Sequence, residues 1–552
     1  MLKLKRIVLV LLVLFGTGSV VFSQTDINDP KVRQEYLRGS ITPEREWWDL
    51  IHYDLSVKFY PDKKMISGSN EISFKTLKPA TRMQIDLQPP LAITRVKYKN
   101  SDLAFSREGN VYWIDFPESP EVGVESTILI TYGGMPREST NPPWSGGITW
   151  DHDDLGEDYI VTTCQGIGAS IWWPNKDHGY DEPDRGVDVR ITVPERLVAV
   201  SNGRLKDTIY NENEKSKTYH WQVKNPINNY AINANIGNYV SYGETYEGEG
   251  GTLDIQYWVL KHQLDVAKKQ FVEVPRMLKA FEYWFGKYPF YEDGYKLVTV
   301  PYAGMEHQSS VTYGNWFRNG YRGRDLSFAG IGYLFDFIIV HESGHEWFGN
   351  NISMRDAADM WIHEGFTNYS ENLFVEYHFG KEKGHDYVVG SRRMARNERT
   401  IIGEYGLNRE GSGDMYYKGG NLLHTIRQVV NDDAKWRMIL RGLNTDFAKK
   451  TVTTAQVENY ISSKSGIDFS RVFDQFLRTT KIPEFRYKIE GRTLRYRYEN
   501  VVDGFDMPVK VRINGTEKWL KPSATEMSFE APDDILKFEV DKNFYVEVRK
   551  DD

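Results

Sequence analysis

The chain has 552 residues, 40% of them apolar and 26% charged, which is a globular balance with room for roughly two to four domains. A net charge of −8, with no basic patch, argues against a nucleic-acid binder. The single cysteine, Cys164, excludes an intrachain disulfide and a thiolate metal cluster, so any metal must be held by histidine and carboxylate.

Lys3, Lys5 and Arg6 precede the apolar run from Ile7 to Phe15, and Val21-Phe22-Ser23 follows as a cleavage site before Gln24. Residues 1–23 therefore read as a signal peptide. The run is shorter than the ~20 residues that span a bilayer, so the expectation is a periplasmic or secreted protein with no stable membrane insertion after cleavage. Residues 24–45 are polar and read as a loose leader. From 46 to 242 short alternating runs recur: Tyr53, Leu55, Val57 and Phe59, then Ile66, Ile72 and Phe74 after a Pro61-Asp62 turn, then Val187 to Val193. This pattern predicts an all-β domain. From 243 to 480 the character changes to strand and clustered helices, with helical spacing over 265–285, 331–349, 356–379, 420–445 and 454–480, which predicts an α+β domain. Residues 481–552 return to alternation (Phe485, Tyr487 and Ile489, then Leu494, Tyr496 and Tyr498), and predict a small C-terminal β-sandwich.

The strongest local signal is His341-Glu342-Ser343-Gly344-His345, inside an apolar helical run. Histidines four apart lie on one helix face and can chelate one zinc ion. Glu342 sits about 100° round the helix, placed to act as a general base without becoming a ligand. A catalytic zinc site takes three protein ligands and keeps one position open. Glu364, nineteen residues after His345 and among Trp361, Ile362 and Phe366, supplies the third from a following helix. Gly344 costs about 1 kcal/mol relative to alanine inside a helix, which suggests that another backbone approaches it closely. A zinc-bound histidine also needs an outer acceptor. Glu371 and Asp359 are both candidates, and both also read as solvated helix charges.

His341-Glu-Ser-Gly-His-Glu-Trp-Phe-Gly-Asn350 and Trp361-Ile-His-Glu364-Gly-Phe resemble, in sequence and spacing, the signatures of the M1 family of zinc aminopeptidases, a gluzincin group. Tyr302-Ala-Gly-Met305-Glu306-His307 resembles the family's G-x-M-E-N segment. Tyr416-Tyr417-Lys418-Gly419 resembles its Y-x-K-G. Thr163-Cys164-Gln165, with Trp173-Pro174 and Asp181-Glu182-Pro183, resembles the stretch that brings a glutamine to the cleft. The resemblance covers about residues 45–552. It implies a thermolysin-like catalytic domain and one Zn2+ per chain, held by His341, His345 and Glu364. It further implies Glu342 as general base, Tyr416 as oxyanion donor, Glu306 and Gln165 at the substrate amine, and Gly304 and Met305 along the substrate backbone. Tyr417 competes with Tyr416, and the motif register favours Tyr416.

The chain departs from the family pattern at His307 and His363, each in place of asparagine, and in the added stretch Asn175 to Tyr180. It is also read as a short form lacking the family's helical C-terminal domain. The activity so implied is hydrolysis of the first peptide bond of peptides with a free α-amine. A thermolysin-type endopeptidase and a catalytically silent peptide-binding module are the alternatives.

Overall fold

The computed structural model describes residues 26–552; the expected signal peptide lies outside them. The expected loose leader is instead helical from Pro30. Asp29 caps helix α1 (Pro30–Gly39) by accepting from the N–H groups of Lys31 and Val32, and Pro30 stands where no N–H is needed. A short helix α2 (Pro43–Glu46) follows. Its Arg45 is fully buried, donating to Asp86 at 2.6 Å and to the carbonyls of Arg38 and Ser40 at 2.9 Å each. The added stretch 175–180 grips the same leader. His178 Nε2 donates to the Gly39 carbonyl at 3.0 Å, and the Asp177 N–H donates to Asp86 at 3.0 Å. Composition hides this order because its partners lie far along the chain.

The all-β domain is built on an eight-stranded sheet in the order Arg204–Asn211, Ser216–Val223, Val187–Pro194, Trp48–Tyr60, Met65–Thr76, Glu125–Gly134, Ala92–Tyr98, Ser101–Asp102. The period-two pattern does what a half-buried sheet requires: Tyr53, Leu55, Val57 and Phe59 are buried, and so are Ile66, Ile72 and Phe74 across the hairpin. Trp173 meets Tyr53 edge-on at 4.8 Å, closing the core beneath the sheet.

The α+β domain opens with Tyr239–Gly248, a strand that spans the boundary expected at 242. It heads a five-stranded sheet continuing through Gly251–Leu260, Tyr295–Thr299 and Val311–Tyr313 to the edge strand Gly304–Met305. Helices α3 (Leu264–Gln270), α4 (Glu273–Phe285), α5 (Phe337–Gly344), α6 (Trp361–Phe379), α7 (Lys381–Ser391), α8 (Asp414–Val430), α9 (Asp433–Asp446), α10 (Thr454–Ser465) and α11 (Ser470–Leu477) complete it. None of the described helices is long and apolar enough to cross a membrane. The tail forms a four-stranded and a three-stranded sheet, the first around the hairpin Glu484–Glu490 and Thr493–Glu499.

Candidate metal centre

The histidine motif ends a short helix rather than lying within the long one expected over 331–349. Ile331–Leu334 is a single 3-10 turn, Phe335 is extended, and α5 begins only at Phe337. Asp336 sets that start. Its carboxylate accepts from the Ile339 N–H at 3.3 Å and from Tyr313, Asn315 and Gln270 at 2.8 Å each. His345 is the residue after the last helical one and keeps helical backbone angles, so the four-residue spacing still brings the imidazoles to one side, with ring centroids 5.2 Å apart. A Cβ on Gly344 would stand 2.6 Å from Ser370 Oγ and 3.2 Å from Thr367 Cγ2. The close neighbours there are side chains of α6, not the backbone that the sequence suggested.

Glu364 lies in the first turn of α6 and is 1% exposed. Its Oε2 stands 3.7 Å from His341 Nε2 and 3.4 Å from His345 Nε2. That oxygen is buried with no hydrogen-bond partner. Both imidazoles hold their other nitrogen elsewhere: His341 Nδ1 donates to Glu371 Oε1 at 2.7 Å, and His345 Nδ1 donates to the Phe348 carbonyl at 3.0 Å. Two Nε2 lone pairs and one orphaned carboxylate oxygen therefore converge within 4.8 Å of one another. Tetrahedral bonds of about 2.0–2.2 Å space ligand atoms by roughly 3.3–3.6 Å, so this N2O set fits zinc.

Glu371 completes the outer ring. It lies two helical turns beyond Glu364 and also accepts from Tyr387 at 2.6 Å and Asn368 at 3.2 Å. The reading of Glu371 as a solvated charge is thus corrected, since it is 1% exposed. Asp359 is buried as well, so its reading as a solvated charge is corrected too, but it turns away, accepting from Tyr405 at 2.7 Å and from Thr454.

A cavity of about 380 Å³ opens over this centre, lined by Gln165, Gly304, Met305, Glu306, Glu342 and Tyr416 among others. Glu342 is buried, and burial pushes its carboxyl up, as a proton acceptor near neutrality requires. The Tyr416 ring stacks on His341 with centroids 6.0 Å apart. Burial, then the charge of Glu364, raises the Tyr416 hydroxyl well above its ordinary value, so it stays a donor. Tyr417 lines the same cavity, nearer Glu371.

Gln165 Nε2 donates to Glu306 Oε1 at 2.8 Å and to Glu364 Oε1 at 2.9 Å, joining the β domain to both carboxylates. Asn350 Nδ2 donates to the Glu306 carbonyl at 2.9 Å. Gly304–Met305 is the free edge of its sheet, paired only on the Val311–Tyr313 side. Tyr230, which the sequence reading passed over, donates to Glu306 Oε1 at 3.0 Å. No local pattern marks it among 34 tyrosines.

Known proteins resemble this chain in sequence and fold. The model of the peptidase M1 N-terminal domain matches residues 50–231, and that of the peptidase family M1 domain matches residues 270–476. The leukotriene A-4 hydrolase of Xenopus laevis is 23% identical over 530 residues, covering 90% of this chain and 79% of that one. Human (Homo sapiens) aminopeptidase B is 23% identical over 385 residues, covering 64% of this chain and 54%, about half, of that relative. A mutant M1 zinc metallopeptidase from Deinococcus radiodurans, crystallised with a Tyr-Ser-Ala substrate, superimposes with a TM-score of 0.67 at 20% identity, over 80% of this chain and 97% of that one. The M1 zinc metallopeptidase from the same organism gives 0.65 at 20% identity, over 78% and 93%. At such identity these two structures establish the fold alone.

Proposed function

The chain belongs to peptidase family M1, a family of zinc metallopeptidases, and from that premise we propose that it is an aminopeptidase, removing the first residue of peptides with a free α-amine. The observation that carries this reading is the Glu306 carboxylate beside the metal centre, fixed by Gln165 and Tyr230 through one oxygen. Among the described residues its Oε2 takes no hydrogen bond from the protein, and it is not a buried orphan. It is thus free for a substrate ammonium.

His341, His345 and Glu364 would hold the zinc, which when bound supplies Lewis acidity to the scissile carbonyl and the attacking water. Glu342 takes a proton from that water and returns it to the departing amine. Tyr416 donates to the carbonyl oxygen as negative charge develops there. Gly304 and Met305 offer a free strand edge to the substrate backbone, and Glu306 with Gln165 holds the terminal ammonium. A carboxylate at a fixed distance from the first peptide bond selects that bond and excludes internal ones. The two tail sheets we read as a small β-sandwich that buttresses α8 and α11.

The test uses zinc-loaded protein on an aminoacyl amide and its N-acetylated counterpart. Only the free amine is cleaved under this reading, and Glu306→Gln abolishes most of that activity. Equal cleavage of the blocked compound would establish the endopeptidase instead.

A further inference from the structure

Both histidines that stand in place of the family's asparagines grip one turn of the β domain, Asn229–Ala231. His307 Nδ1 donates to the Ala231 carbonyl at 3.1 Å. His363 Nδ1 lies 3.3 Å from the Tyr230 hydroxyl. The direction of this second contact follows from the far side of the ring. The backbone N–H of Met354 donates to His363 Nε2 at 2.8 Å, so Nε2 is the unprotonated nitrogen and Nδ1 carries the hydrogen. Nδ1–H therefore donates to the Tyr230 oxygen, and the Tyr230 hydrogen has one acceptor left, Glu306 Oε1 at 3.0 Å. All three side chains are buried, His363 fully and Tyr230 at 6% exposure, so water does not compete for these bonds.

We propose that His363 and Tyr230 are positioning residues for the amine site. The Met354 N–H sets the tautomer of His363, His363 sets the hydroxyl of Tyr230, and Tyr230 with Gln165 holds Glu306 Oε1 so that Oε2 faces the substrate ammonium. The relay crosses the domain boundary, from the strand Ile352–Met354 and α6 to the turn of the β domain. It makes recognition of the amine depend on how the two domains are docked. Asparagine at 363 would have a shorter reach to Tyr230, which is what the ring supplies here.

This inference rests on the reading of Glu306 as the amine anchor, and the experiment separates the two. Nitrogen-15 NMR of the imidazoles, assigned by difference with His363→Asn, should find His363 as the Nδ1–H tautomer; the Nε2–H form would overturn the proposal. In steady-state kinetics on an aminoacyl amide, Tyr230→Phe and His363→Leu should each lower kcat/KM by about tenfold, chiefly through KM, as loss of a hydrogen bond to a charged group does. Zinc content should be unchanged, and the double variant no worse than either single one. Independent, multiplying losses would mean that the residues do not act through one chain. Should His363→Leu fail to fold, Tyr230→Phe alone decides, since it deletes one hydroxyl: wild-type KM would sink the relay. If Glu306→Gln itself leaves KM and kcat at wild-type values, the anchor reading fails first.

Discussion

Tyr416 and Tyr417 are neighbours in one cavity, and their surroundings differ. Tyr416 stacks on His341 beside Glu364, whereas Tyr417 faces Glu371. Tyr416→Phe should lower kcat by about 10²–10³-fold, the usual cost of one oxyanion donor, and Tyr417→Phe far less; reversal of that order in steady-state kinetics would move the role to Tyr417. Glu371 holds the ring of His341 by a 2.7 Å bond. Outer partners of this kind tune affinity, so Glu371→Ala should weaken zinc binding about 10–100-fold, measured by competition with a chromophoric chelator. Asp359→Asn should leave it unchanged, because Asp359 serves Thr454 and Tyr405. The three groups that converge at the candidate metal centre were legible because their spacing is local. Glu371 was half-legible: two turns past Glu364 put it on the right face, but only the packing of α6 shows that it, and not the equally buried Asp359, meets His341.

The elements that carry the site are shorter than the apolar pattern suggests, since periodicity records which side chains are buried and not where the backbone turns. The run from Leu334 to Val340 is apolar but for Asp336, yet Phe335 is extended and Asp336 starts the helix. An aspartate amid apolar residues was the available sign of a cap. Asp336 ties α5 to Tyr313 on the sheet, to Asn315 and to α3 through Gln270. Asp336→Ala removes the cap and leaves the buried Tyr313 hydroxyl without its acceptor. The expected loss is at least about 2 kcal/mol of unfolding free energy, read by urea denaturation. Asp336→Asn, which keeps an acceptor for Ile339, should cost less; equal losses would show that the charge and not the cap matters. Gly344 permits the contact of this helix with α6, where an added methyl group meets Ser370 and Thr367. The propensity argument found the oddity of that glycine but not the partner.

Across the whole molecule, the β domain, the catalytic domain and the tail strands were readable from periodicity, whereas the ordering of the leader was not. Arg45 looks like a surface charge until Asp86 is seen to bury it. The proposed amine site likewise joins residues 165, 230 and 306, whose proximity no spacing reveals; the resemblance pointed to two of them and the structure adds the third. The outer face of the large sheet carries a further long-range cluster, remote from the metal centre. On Val187–Pro194, Asp188 meets His52 Nε2 at 3.1 Å and His220 Nε2 at 2.5 Å, with Gln222 at 3.3 Å. Asp207 lies 3.2 Å from the other nitrogen of His220. Burial alone would raise the Asp188 carboxyl, but hydrogen bonds from His52 and His220 outweigh it and hold it below the usual range. A folded-state pKa below the unfolded one stabilises the fold above the unfolded value, about 3.9 for aspartate. That contribution is lost as pH falls from there towards the folded value. Urea midpoints of the wild type and Asp188→Asn should therefore differ at about pH 5, with the wild type more stable, and the difference should shrink as pH falls below about 4. A difference that stays constant or grows in acid would mean that the cluster stabilises the sheet through packing, with the charge of Asp188 playing no part.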